Sequence, residues 1–181
     1  RVFFTAIFSK PMKRFAVSDT TTLQNGNELK ARRVYGMAYF DTKDKEELYV
    51  KVALSPVSIE NSRLNLKTQL PGWDFQQTVA AAERAWNEEL NKIIIRTNDN
   101  SIKRTFYTAL YHTMIAPSEF CDVNGDYRGA DRQMHKSEGF KNYTTFSLWD
   151  TYRAAHPLMT IIHPEKMGDI INTMLTIYKQ Q

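Results

Sequence analysis

The chain has 181 residues, 42% hydrophobic and 24% charged, with 24 basic against 20 acidic side chains and a formal net charge of +4. That balance excludes intrinsic disorder and suits one domain with a proper core, or pieces of two. Basic residues form no block denser than Lys10 to Arg14, so a nucleic-acid surface has little behind it, and no apolar run is long enough to span a membrane. The single cysteine, Cys121, has no second cysteine for a disulfide or a zinc spacing.

The first seventy residues read as β. Arg1 to Ser9 is rich in Phe, Val and Ile, Arg33 to Phe40 alternates moderately, and Glu47 to Leu54 puts Leu48, Val50, Val52 and Leu54 on one face. Asn25-Gly26 is a hairpin signal, and Asp41 to Glu46 is a second polar turn. Short strands at this spacing predict the end of an antiparallel sandwich. Ser58 to Leu70 loses the alternation and Pro71-Gly72 punctuates it.

A helix then starts at an Asp74 N-cap, with Val79, Ala82, Trp86 and Leu90 as its stripe. Ile93 to Ile95 reads as a brief β-like run. Asp99 or Asn100 caps a second helix that runs to about Ala116, where Pro117 stops it. Ser118 to Tyr143 reads as a long irregular loop, a length that tends to be functional. Helical pattern resumes from Leu148 to about Ile162, and Pro164 opens a last helix with His163 near its N-cap and Glu165 in its first turn. The chain opens inside an apparent strand without an initiator Met and closes inside a helical pattern, which reads as a piece of a longer protein.

Few constellations carry chemistry. Asp122-Val-Asn124-Gly-Asp126 has the opening of a calcium loop, but position six is Tyr127 and position twelve is Gln133, so an Asx-rich turn is expected. His112, His135, His156 and His163 have no metal-binding spacing. No pair of carboxylates for acid–base catalysis is identifiable by spacing, and Cys121 has no evident base partner. In the stretch Tyr143 to His156 an indole, Trp149, adjoins a carboxylate, Asp150, with Arg153 one helical turn on. Two readings stand. Trp149 is core and Asp150 caps a helix or pairs with Arg153; or the indole covers a pyranose face while the carboxylate accepts from vicinal hydroxyls.

The segments PGWDF (71–75), FYTALYHTMIAPSEFCDVNGDYRGAD (106–131) and FSLWDTYRAAHPLMTIIHPEKMGDIINTML (146–175) resemble the glycoside hydrolase family 92 α-mannosidases, collinearly and over essentially the whole chain. The resemblance implies an α+β chain by segments: residues 1–70 as the end of an N-terminal β-sandwich, 71–98 as a helical linker, and 99–181 as the start of an (α/α)6-barrel catalytic domain. It implies an exo-acting, inverting hydrolase for terminal α-linked mannose, α-1,2 as the expected linkage, assisted by calcium and exported to the periplasm or cell surface of a bacterium. The acid, the base and most calcium ligands are then expected beyond residue 181, so the segment alone should be inactive. Trp149 and Asp150 are expected to contact the sugar, with Arg153 orienting Asp150 and with Asp126, Tyr127 and Arg128 at the pocket rim. The helices from about residue 99 are expected to expose an apolar face open to self-association. The alternatives are another inverting (α/α)6 glycosidase, such as an α-glucosidase, and a non-catalytic carbohydrate-binding or scaffold piece.

Overall fold

A computed structural model of the chain describes residues 2–19, 23–24 (backbone) and 26–181. Its content is mixed: small antiparallel strands first, then helices. Strand β1 (Phe3–Phe8) pairs antiparallel with β5 (Val50–Ser55), in register from Phe3 opposite Ser55 to Phe8 opposite Val50. A second sheet has the order β3-β2-β4, with β2 (Arg14–Ser18) between β3 (Leu23–Gln24) and β4 (Tyr35–Tyr39). The expected strands are present, somewhat shorter than predicted. The strand β2 was not expected, because its charged start, Lys13-Arg14, reads as a solvated surface. The Asn25 half of the hairpin signal lies outside the described residues.

The alternating face of β5 is the reverse of a buried one. Val50, Val52 and Leu54 are exposed, whereas Lys51 and Ala53 are half-buried and Ser55 is fully buried. The covered side is taken by a helix that alternation could not reveal, α1 (Ile59–Gln69). It lies across β1 and β5, and its buried positions are Ser62, Asn65 and Leu66. Small polar residues let the helix approach closely: Thr5 Oγ1 and Ser62 Oγ are 2.5 Å apart. Ser58 caps it by accepting from the Asn61 amide. The expected β region therefore ends at Ser55, and residues 59–69 are helix.

Helices α2 (Phe75–Leu90) and α3 (Asn100–Thr113) start as predicted. Asp74 accepts from the Gln77 amide and Asp99 from the Ser101 and Ile102 amides. Ile93 to Ile95 forms no strand; Ile93 packs on the helical core and Ile94 is 72% exposed. The third helix ends at Thr113, three residues before the expected Ala116; Pro117 has no N–H to donate to the Thr113 carbonyl, as a continuing helix would need.

The stretch Ser118 to Tyr143 is more ordered than the expected loop. It carries two antiparallel ladders, β6 (Ser118–Glu119) with β9 (Tyr143–Thr144) and β7 (Asp126–Arg128) with β8 (Met134–Lys136). The helix expected from Leu148 to Ile162 is two: α4 (Leu148–Thr151) and α5 (Ala155–Ile162). Pro157 explains the break. It lacks the N–H that a continuous helix would donate to Arg153, but it is tolerated in the first turn of α5, where amides have no intrahelical acceptor. Helix α6 (Pro164–Lys179) begins at Pro164 as expected, although the His163 side chain does not cap it.

Leu110 of α3 and Met159 and Ile162 of α5 form the buried centre of the helical region, with Leu90, Phe106, Met114, Leu158 and Met167 packed around them. Ile102, Ile161, Leu175 and Tyr178 are exposed, the apolar helix surface that was expected. Among the described residues no helix is long and apolar enough to cross a membrane.

Candidate functional site

The stretch carrying Trp149 is held at both ends. On its N-terminal side β9 pairs with β6, directly after α3, and Tyr143 is buried with its amide donating to Thr173 Oγ1 of α6 at 3.2 Å. On its C-terminal side Met159 and Ile162 anchor α5 in the core. Between these anchors α4 projects Trp149 into solvent, 84% exposed. Among the described residues Trp149 packs into no core. Its ring lies 6.3 Å from that of Tyr152 at 46°, so the two aromatic faces make an open corner.

Asp150 is exposed, and Ser147 Oγ donates to its Oδ2. Oδ1 accepts no hydrogen bond among the described residues, so one oxygen remains for a hydroxyl donor. The expected Arg153–Asp150 pairing does not form. The short helix ends at Thr151, and Arg153 turns to its neighbour: Nε donates to the Tyr152 hydroxyl at 2.6 Å and the guanidinium lies 5.3 Å from the Tyr152 ring centre. Arg153 therefore supports the aromatic corner rather than the carboxylate.

Asp126, Tyr127 and Arg128 lie on β7. Tyr127 is buried, stacked 5.7 Å from His135, and its hydroxyl accepts from Gln180 Nε2 at 3.1 Å. Asp126 Oδ2 accepts from Asn124 Nδ2 at 2.7 Å and Asn61 Nδ2 at 3.0 Å, and Arg128 Nε donates to the Arg132 carbonyl at 3.1 Å. Among the described residues no hydrogen bond, ion pair or ring contact joins this group to Trp149 or Asp150.

The residue that organises this region is Asp122, which spacing placed only in an Asx-rich turn. Such a turn does form: the Asp126 amide donates to Asn124 Oδ1, the Gly125 amide to the Asp122 carbonyl, and Gly125 takes φ +86°. Beyond that, Asp122 is 3% exposed, and its carboxylate accepts from Ser55 Oγ at 2.7 Å, Asn61 Nδ2 at 2.8 Å and Asn65 Nδ2 at 2.7 Å. Asn65 Oδ1 in turn accepts from the Val123 amide at 2.9 Å. One buried carboxylate so ties β5, α1 and the turn together. The signal that finds it is the Asn61, Asn65 pair, four residues apart on one helix face.

Calcium does not fit these residues. Among the described residues no three His, Cys, Asp or Glu side chains converge on a point that could hold a metal ion. Around Asp122, the only approach to a calcium loop, the donors of Ser55, Asn61 and Asn65 already point at the carboxylate, presenting positive ends where a cation would sit. Nor is Cys121 poised for nucleophilic work, since burial pushes its thiol up and away from the reactive thiolate.

Two larger clefts lie elsewhere. One of about 670 Å³ runs between β5, α1 and residues 119–122, with Arg128 at its edge; the other, about 630 Å³, is an open groove between α2 and α3 walled by Trp86, Tyr107 and Tyr111. Neither is lined by Trp149 or Asp150.

Comparison with known proteins places this arrangement. The glycosyl hydrolase family 92 catalytic domain profile matches residues 61–181. The structure superposes on a family GH92 α-mannosidase from Bacteroides thetaiotaomicron with a TM-score of 0.87 and 38% identity, over 99% of this chain and 25% of that one. On a family GH92 inverting mannosidase from the same organism the TM-score is 0.91 at 27% identity, again over 99% of this chain and 25% of that one. A protein of Arthroderma benhamiae named as an uncharacterized secreted glycosidase is 31% identical over 107 residues, 57% of this chain and 13% of that protein. The chain thus spans about a quarter of the solved structures it matches. With the profile match extending over most of its length, the chain belongs to glycosyl hydrolase family 92.

Proposed function

We propose that the chain is part of an exo-α-mannosidase that removes terminal α-linked mannose, α-1,2 linkages foremost, from glycans with inversion at the anomeric carbon. The observation carrying this reading is the 38% identity, at a TM-score of 0.87 over 99% of the chain, to a protein described as an α-mannosidase. Residues 1–70 are the end of a β-sandwich, with α1 folded back on its last strands; residues 71–98 are the linker containing α2; residues 99–181 begin an (α/α)6 barrel. Export from the cell fits the secreted glycosidase of Arthroderma benhamiae.

Within this chain the assigned role is substrate binding. Trp149 is the platform for the apolar face of a terminal mannose, and Asp150 Oδ1 accepts from a ring hydroxyl. Tyr152 and Arg153 complete the aromatic corner, and Asp126 and Arg128 form a second polar surface on β7. The general acid and base of inverting hydrolysis, and the ligands of the calcium that assists it, belong to residues outside this chain. Calcium would supply electrostatic binding of sugar hydroxyls there; Asp122 and Asp126 act through their amide and hydroxyl partners.

Aryl α-mannoside and α-glucoside hydrolysis by the whole protein, with and without a chelator, tests the reading. Mannoside turnover that the chelator abolishes, with negligible glucoside turnover, is the expected result. Preferential glucoside cleavage would replace it with the glucosidase alternative, and sugar binding without turnover would make the protein a carbohydrate-binding scaffold.

A further inference from the structure

Ser147 stands where a helix start calls for a cap, and its hydroxyl does something else. A serine at this position ordinarily accepts from the amide two or three residues on. In α4 that bond is absent. The turn is closed by the Ser147 carbonyl instead, which accepts from the Asp150 and Thr151 amides at 3.1 Å each and from Thr151 Oγ1 at 3.0 Å. The hydroxyl, not needed by the backbone, donates to Asp150 Oδ2. Among the described residues it is the one partner of the Asp150 carboxylate.

An exposed aspartate has little to choose its orientation. Its terminal torsion is broad and two-fold, so the carboxylate plane turns easily. A carboxylate free to turn can offer one oxygen to each of two vicinal hydroxyls. Here Ser147 ties down one oxygen, and Oδ1 keeps both of its lone pairs. The tie strengthens when a ligand is in place, because a sugar lying over the indole excludes the water that competes with the Ser147 hydroxyl.

We propose that Ser147 is a positioning residue for sugar recognition: its hydroxyl holds the Asp150 carboxylate so that Oδ1 accepts from one hydroxyl of the mannose on Trp149. This role rests on the assignment of Trp149 and Asp150 as the sugar-contacting pair. The orientation is set before the sugar arrives, which lowers the ordering cost of binding.

The test is kcat/KM of the whole protein for an aryl α-mannoside and for its monodeoxy analogues at each hydroxyl in turn. Wild type, Asp150→Ala, Ser147→Ala and Ser147→Thr are compared, with Tm recorded for each. The ratio of parent to deoxy substrate measures each hydroxyl, and its fall in Asp150→Ala shows which hydroxyl Asp150 holds. One ratio should fall in Asp150→Ala, roughly 10- to 150-fold. Ser147→Ala should lower that same ratio about three- to tenfold, the effect of one hydrogen bond, with the other ratios unchanged. Ser147→Thr keeps the hydroxyl and should restore it. Thr151→Val removes a hydroxyl bonded to the Ser147 carbonyl and should leave every ratio at its wild-type value, since it touches the turn and not the carboxylate. A Ser147→Ala protein with the wild-type ratio at that hydroxyl would overturn the positioning role while leaving Asp150 in the site. A loss spread evenly over all substrates, or two vicinal hydroxyls equally dependent on Asp150, would overturn it too. If no hydroxyl depends on Asp150, the assignment of Asp150 falls, and the role of Ser147 with it.

Discussion

Replacing Asp122 by Asn exchanges one oxygen of a buried carboxylate for an NH2 while leaving shape and volume nearly unchanged. Three donors converge on that carboxylate, two on Oδ2 and one on Oδ1. The least costly orientation of the new amide keeps an oxygen toward Ser55 and Asn61 and turns its NH2 toward Asn65, whose own amide still reaches the Leu54 carbonyl at 2.9 Å. One charge-assisted hydrogen bond is then lost, at about 1.5–3 kcal/mol, and two others weaken as their acceptor loses its charge. The sum is about 2–4 kcal/mol, or a fall in Tm of roughly 10 °C for a domain of this size. Asp126→Asn is the control. Asp126 is half-buried and one of its oxygens takes both amide donors, so its replacement should cost under about 1 kcal/mol. Urea unfolding of the two variants beside the wild type measures the difference. An Asp122→Asn protein within about 1 kcal/mol of wild type, or less affected than Asp126→Asn, would refute the view that this carboxylate holds β5, α1 and the turn together.

Two further outcomes follow from the same geometry. The Glu89 carboxyl is lowered in the folded protein from its ordinary 4.5, by Lys92, Lys166 and His163 against burial, so the stability it contributes is present above pH 4.5 and is lost as pH falls through the lower folded value. The stability gap between wild type and Glu89→Gln should therefore be steady from pH 7 to pH 5 and close in stronger acid; urea midpoints across that range check it. A Cβ at Gly129 would stand 2.6 Å from His135 Cδ2 and 2.7 Å from both Asp131 Oδ1 and Gln180 Oε1. Gly129→Ala should thus dislodge Gln180 from the Ala130 amide and the Tyr127 hydroxyl and lower stability by about 1–2 kcal/mol, read as a Tm shift.

Much of the helical half was legible in the residues because its boundaries are set locally. Asp74, Asp99 and Pro164 act within one turn of themselves, and each sits at a helix start in the structure. The features that escaped are set by contacts distant in sequence. The first helix buries Ser62 and Asn65 against strands and a turn up to 58 residues away, so no apolar stripe announces it. The face of β5 that carries Val50, Val52 and Leu54 is exposed among the described residues and α1 covers the other one, because what covers a sheet is not written in the strand. The break at Tyr152 to Ala154 was readable from Pro157, and it decides the site: it turns Arg153 away from Asp150 and leaves Trp149 standing in solvent. In the candidate site, then, residue types were legible and their pairing was not.

The central claim is that Trp149 and Asp150 hold the sugar and not the fold. Its most direct test is kcat/KM for an α-mannoside, measured on the whole protein with Trp149→Ala and Asp150→Ala beside the wild type, and with Tm recorded for each. With the indole 84% exposed and Asp150, among the described residues, bonded only to Ser147 and local backbone, both variants should melt within about 2 °C of wild type. Activity should fall roughly 10- to 150-fold for Asp150→Ala, the loss of a hydrogen bond to a charged acceptor, and by at least about tenfold for Trp149→Ala. Wild-type kcat/KM in either variant, or a loss of activity matched by a collapse in Tm, would contradict the account.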